Sequence, residues 1–267
     1  MDQATAIEKL ALRNVTVTVN GSLGEFQLTR SSRLNACSTD FMEDVIAAAD
    51  WFDTHESLKA VTVYGIGKAF CAGFDLDVFL GGKPEDVRVA VELGRQMIQR
   101  VSRMKALTVA AAHGSCIGGG MVLLAACDFR YAARDTKFFL PEVDLGVPLA
   151  WGGMPWLVRE VGPVAAMELT LLCDPISAEA LHRQGFLNGV AEGDDVLARA
   201  SETAQRLARK SGFVLRATKE QVIAAKSELA STVYSFNDAN LFYAAVLDEE
   251  SSRLRSAYIA ALRERKK

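Results

Sequence analysis

The chain has 267 residues, half of them hydrophobic, enough for one large domain with a sizeable core. Its net charge of −3, with both signs scattered, excludes the basic excess of a nucleic-acid-binding surface. No basic stretch followed by an apolar run opens the chain, and no apolar run is long enough to span a bilayer, so no membrane and a cytoplasmic location are expected.

Arg13 to Val19 alternates as a strand, and Gly24 to Leu28 returns after Asn20-Gly21, a hairpin signal. Phe41 to Phe52 has helical periodicity, and Ala60 to Tyr64 is a short β-branched run. Glu85 to Met104 reads as an amphipathic helix with Val87, Val91, Leu93, Ile98 and Val101 on its apolar side. Leu107 to Ala111 is an apolar strand, followed by three glycines and an uncharged run from Met121 to Cys127. Phe129 to Ala132 and Lys137 to Leu140 read as strands, and beyond Trp151 the pattern turns mostly helical. Strands alternating with helices, then a helical tail, predict an α/β core with a C-terminal helical region. Five cysteines without a C-x-x-C pair predict reduced, buried or semi-buried thiols. Three dispersed histidines predict no zinc site.

Gly118-Gly119-Gly120 sits between a strand and a buried helix. A helix start leaves backbone N–H groups unpaired, and glycine lets another atom approach them closely. The turn lacks the lysine of a P-loop and the G-x-G-x-x-G spacing, and Gly114-Ser115-Cys116 does not continue as a serine elbow. Taken alone it is equally explained by close helix–strand packing. A second small-residue turn, Gly65 to Phe79, also follows a strand, and two such turns can aim two N–H groups at one oxygen that becomes negative during a reaction.

The chain resembles the crotonase superfamily, the enoyl-CoA hydratase/isomerase family. The resemblance is carried by SSRLNACS around Arg33 to Ser38, GKAFCAGFDL at 67–76, AAHGSCIGGG at 111–120 and ACDFRYA at 126–132. It continues through FFLPEVDLGVP at 138–148 and ISAEALHRQGFLNGV at 176–190, nearly the whole chain in order. It implies a spiral of ββα units over residues 1–195 and a helical trimerisation region over 196–267, assembled as a homotrimer or homohexamer. It also implies an acyl-CoA thioester substrate and no separate cofactor or metal. By position, the oxyanion donors are the backbone N–H groups of Phe74 and Gly119, each worth about 3 kcal/mol toward developing charge. Ala72, Phe74, Asp75, Leu76, Asp77 and Gly119 are expected along the thioester arm, with Arg33 and Leu34 toward the nucleotide. The family's C-terminal helix lies over a neighbouring subunit, which would bring the basic end Arg263 to Lys267 toward CoA phosphates.

The family's hydratases carry one glutamate two places after the glycine triplet and a second in a Pro-Glu pair. Here the first position is Val122 and the second is kept as Glu142. One carboxylate suffices to move a proton from C2 to C4 of a 3-enoyl thioester, so the resemblance favours a Δ3 to Δ2 enoyl-CoA isomerase with Glu142 as the single acid/base. An apolar setting from Val122, Val147 and Leu149 would raise its pKa toward neutrality. Hydration by Glu142 with an ordered water, and acyl-CoA binding with little catalysis, stay open as alternatives. A carboxylate introduced at Val122 is expected to add hydration. Ala150 occupies the place where the dienoyl-CoA isomerase branch has a further acid. Asp144, Asp75 and Asp77 read as surface or capping residues, with Asp144 open also to the role of a second carboxylate that compensates for Val122, and His113 as a turn residue bonded to backbone. Trp151 and Trp156 read as packing residues or acyl-tunnel walls.

Overall fold

The computed structural model describes residues 7–193 and 195–264. The N-terminal six residues and Arg265, Lys266 and Lys267 of the basic end lie outside the described residues. The chain opens with β1 (Glu8–Ala11), β2 (Val15–Asn20) and β3 (Leu23–Leu28), then α1 (Thr39–Asp53) and β4 (Ala60–Gly65). Two helices follow, α2 (Leu76–Gly81) and α3 (Pro84–Ser102), then β5 (Leu107–Ala112), β6 (Ser115–Ile117) and α4 (Gly119–Ala125). β7 (Phe129–Ala133) and β8 (Lys137–Phe139) lead to α5 (Gly153–Leu171), α6 (Ala178–Arg183) and β9 (Gly189–Ala191). The rest is helical: α7 (Asp195–Ala208), α8 (Gly212–Leu229), α9 (Asp238–Leu247) and α10 (Glu249–Glu264).

The large sheet has the order β1-β2-β3-β4-β5-β7-β9, antiparallel through β3 and parallel beyond it. The Asn20-Gly21 turn closes the β2–β3 hairpin, with Gly21 at φ +60 where a side chain would be strained. β6 and β8 pair in parallel as a second, small sheet. A single-residue bridge between Cys71 and Cys116 adds the segment after β4 to it. Each turn of the chain therefore runs through the large sheet, then the small one, then a helix. This is the expected spiral of ββα units.

Burial follows the two-residue period of the strands. Val61 and Val63, Ala110 and Ala112 face the main core, with α1, α3 and α4 packed there. Ala60, Leu107, Val109 and Ala111 face the other way, where α7 contributes Val196, Ala200, Ala204 and Leu207. Every residue of β5 is buried, as the continuous apolar run of a parallel strand covered on both faces requires. On α3 the buried stripe is Val87, Ala90, Val91, Gly94, Met97, Ile98 and Val101, while Leu93 is only half-buried at its edge. Among the described residues no helix is long and apolar enough to cross a membrane.

Four elements were not read from sequence: β1, α2, β6 and β9. β6 and β9 have three residues each, too few to display a period. α9 and α10 pack over this chain's own cavity: Phe242, Tyr258 and Leu262 line it, and Ser251 closes on Gly146 so tightly that a methyl group there would meet its carbonyl.

Candidate active site

The small sheet builds the site. Cys71 N–H donates to Ser115 O (3.1 Å) and Ile117 N–H donates to Cys71 O (3.0 Å), which lays segment 71–74 beside segment 115–119. Gly73, at φ +83, comes so close that an added Cβ would stand 2.6 Å from Ile117 O and 3.1 Å from Gly119 N. Cys37 N–H donates to Gly73 O (2.8 Å), and Cys37 O accepts from Asp75 N–H (3.1 Å). Successive N–H groups of an extended segment point in opposite directions, so the Phe74 N–H is turned away from Cys37. Gly119 opens α4, where the first N–H groups have no partner within the helix. Thus Phe74 and Gly119 come from turns 45 positions apart in sequence but adjacent in space.

The β6–β8 register sets Ile117 opposite Phe139, and Gly118 N–H donates to Phe139 O (3.0 Å). The chain then turns through Pro141, which brings Glu142 over the glycine turn. A methyl on Gly118 would stand 2.5 Å from Glu142 Oε1, and Gly118 holds φ +54. Only glycine admits both the backbone conformation and the carboxylate. Glu142 as a residue retains some exposure, yet its Oε2 is enclosed and has no hydrogen-bond partner. Burial pushes its carboxyl up to about 7, since the charged form loses its hydration.

These groups share one cavity of about 200 Å³. Of the residues expected from sequence, Ala72, Phe74, Leu76, Gly119 and Glu142 line it, as do Val147, Leu149, Ala150 and Trp151. Arg33, Leu34, Asp75 and Asp77 do not. Arg33 is half-exposed and pairs with Asp77, while Leu34 O accepts from Ala72 N–H at 3.0 Å just behind the wall. Asp75 is buried, caps α2 through Asp77 N–H (3.0 Å) and pairs with Arg30 at 2.6 Å. Asp144 is exposed and away from the cavity. A ring nitrogen of His113 bonds Gly67 O at 2.9 Å, the backbone role expected of it. All five cysteines are free and buried; Cys37 and Cys71 approach to 3.5 Å between sulfurs.

Val122 departs from its expected setting. It is fully buried but does not line the cavity; it packs behind Gly153, whose added Cβ would stand 2.9 Å from Val122 Cγ2. Its side chain therefore forms no part of the wall around Glu142.

Sequence reasoning placed Phe74 and Trp151 at the site but missed Phe79 and Phe242, which complete an aromatic cluster on the cavity. Phe74 meets Phe79 (6.3 Å between centroids), Phe242 (6.2 Å) and Trp151 (5.8 Å), the last two edge-on. Phe79 and Phe242 also meet edge-on at 5.5 Å. Such contacts favour apolar ligands and add about 0.5–1.5 kcal/mol per pair beyond area burial. Phe79 lies in the six-residue α2 and Phe242 in α9, and neither carries a local signal of its role. Among the described residues no three His, Cys, Asp or Glu side chains are grouped to hold a metal ion.

The family described as enoyl-CoA hydratase/isomerase matches residues 18–266 of this chain. A probable enoyl-CoA hydratase of Mycobacterium bovis is 30% identical over 253 residues, covering 94% of this chain and 96% of that protein. A peroxisomal Delta(3,5)-Delta(2,4)-dienoyl-CoA isomerase of Arabidopsis thaliana is 29% identical over 78% of this chain and 80% of its own. Among solved structures, an enoyl-CoA hydratase/isomerase from Mycobacterium paratuberculosis superposes with a TM-score of 0.81 at 24% identity. It covers 96% of this chain and all of that one, a likeness of fold.

Proposed function

The chain belongs to the enoyl-CoA hydratase/isomerase family, and from that premise we propose that it is a Δ3 to Δ2 enoyl-CoA isomerase with Glu142 as its single acid/base. Glu142 takes the proton from C2 of a 3-enoyl thioester. The C2–H electron pair moves toward the carbonyl, and the resulting dienolate oxygen is held by the N–H groups of Phe74 and Gly119. The protonated carboxyl then delivers the same proton to C4, the double bond settles between C2 and C3, and Glu142 returns to its starting charge. A carboxyl near 7 suits both halves, since at neutral pH it is ionised enough to take the proton and acidic enough to return it.

One observation carries this reading: a carboxylate with one enclosed, unpartnered oxygen shares the cavity with the two donor residues, while Val122 is apolar and off the wall. Ala72 and Leu76 would flank the thioester arm. Hydration is the second reading, favoured by the relatives named hydratases, and would use Glu142 with an ordered water. Incubation with a 3-enoyl-CoA and, separately, a 2-enoyl-CoA distinguishes them when products are resolved by mass and retention time. Isomerisation leaves the mass unchanged and moves the 3-enoyl peak; addition of water to the 2-enoyl substrate without isomerisation would overturn the proposal. Assembly as a homotrimer or homohexamer is proposed with it. Val164, Met167, Leu171 and Leu172 on and just after α5, each more than half exposed, support that by leaving apolar surface to cover. Sedimentation at micromolar concentration reads the stoichiometry.

A further inference from the structure

Trp151 stands between two chambers. On one side is the 200 Å³ cavity of Glu142, Phe74 and Gly119. On the other, a cleft of about 820 Å³ runs between α3, the end of α4 and α8. Among the described residues, Trp151 alone lines both. It is 3% exposed, and its backbone holds φ +63, a conformation that side-chain-bearing residues rarely adopt. Two glycines seat its ring. A methyl on Gly94 would overlap the Nε1 edge of the indole, and a methyl on Gly119 would overlap the Cζ3 edge. Gly94 lies in the middle of α3, where glycine weakens a helix, and the indole accounts for the missing side chain. On the cavity side the ring meets Phe74 edge-on; the cleft beyond presents Ile98, Ala125 and Ala126.

We propose that Trp151 is the partition that limits the length of the acyl group. The inference rests on reading the cavity as the acyl-thioester site. An apolar cavity of about 150 Å³ admits a benzene ring, so 200 Å³, which also holds the thioester group, accommodates an acyl group of at most about six to eight carbons. A longer chain must pass the plane of the indole to reach the cleft, where Ile98, Ala125, Ala126 and Val222 offer apolar surface among charged residues such as Arg95 and Lys219.

Titration calorimetry with saturated acyl-CoAs of four to sixteen carbons tests this. These ligands carry no double bond for Glu142 to act on, so the length profile is read whichever reaction the protein catalyses. For the native protein, affinity is expected to rise to about eight carbons and then level or fall. For Trp151→Ala it should keep rising to sixteen carbons, by up to about fourfold per methylene. Trp151→Phe, which keeps an aromatic packed on Phe74, should extend the limit part-way and covers the case in which the alanine variant does not fold. Affinity that climbs through sixteen carbons in the native protein overturns the proposal, as does a native cut-off retained by the folded variants. Failure to bind any acyl-CoA removes the acyl-thioester reading itself. Loss of isomerisation in every assay, with the length profile intact, removes only the reaction.

Discussion

Glu142→Gln separates the cost of the buried carboxylate from everything else that titrates. The carboxyl rises from 4.5 to about 7 on folding because it loses water and gains no donor at Oε2. Below about pH 4.5 it is protonated in both the folded and unfolded chain and contributes no pH dependence. Between 4.5 and 7 the unfolded chain releases the proton first, so native stability falls as pH rises. Above 7 the full cost is present, at most about 3 kcal/mol for a carboxyl that retains some exposure. Glutamine has the same shape and no charge. Its amide leaves a donor unpaired, costing about 1–3 kcal/mol, but equally at every pH. The stability of the variant minus that of the native protein should therefore increase by about 3 kcal/mol between pH 4.5 and pH 8. Urea unfolding of both proteins at four or five pH values measures this difference, and every other titrating group cancels in it. A difference that stays constant with pH would refute the claim that burial costs the Glu142 carboxylate more than its hydrogen bonding returns.

The same carboxyl should govern the rate: kcat/KM for a 3-enoyl-CoA is expected to rise tenfold per pH unit up to about pH 7 and then level, and Glu142→Gln should abolish turnover while acyl-CoA binding persists. Gly118→Ala places a methyl 2.5 Å from Glu142 Oε1 on a backbone at φ +54, so turnover should fall at least about a hundredfold by displacement of the base, with binding by calorimetry changed far less. Val122→Glu, expected from sequence to add hydration, should instead lower stability by about 3–5 kcal/mol in urea titrations and yield no hydrated product, because the new carboxylate enters the packed space behind Gly153.

Much of this protein is decided locally and can be read locally. The hairpin at Asn20-Gly21 follows from backbone angles that those residues accept. β5 follows from a run with no polar face, and α3 from a 3.6-residue stripe. Glu142, Phe74 and Gly119 could be named only through the resemblance to the enoyl-CoA hydratase/isomerase family; local backbone needs explain the glycines at positive φ and the proline at the turn around them, not their roles. By the same resemblance, Val122 and Glu142 stand at the two positions expected to carry glutamates in a hydratase, so one acid is left.

The cavity itself was decided only in three dimensions. Its walls join Phe74 and Phe79 to Phe242 and Tyr258, residues separated by more than 150 positions, through the way α9 and α10 pack back on the chain. Whether Val122 faces the site depends on Gly153 and Leu149 in front of it, and no spacing records that. Trp151 becomes a wall between two chambers only because Gly94 and Gly119, from different elements, both withdraw a side chain from its ring. Backbone preference and hydrophobic period act over a few residues. The volume left between packed elements is a sum over distant contacts, and it exists only once all of them are made.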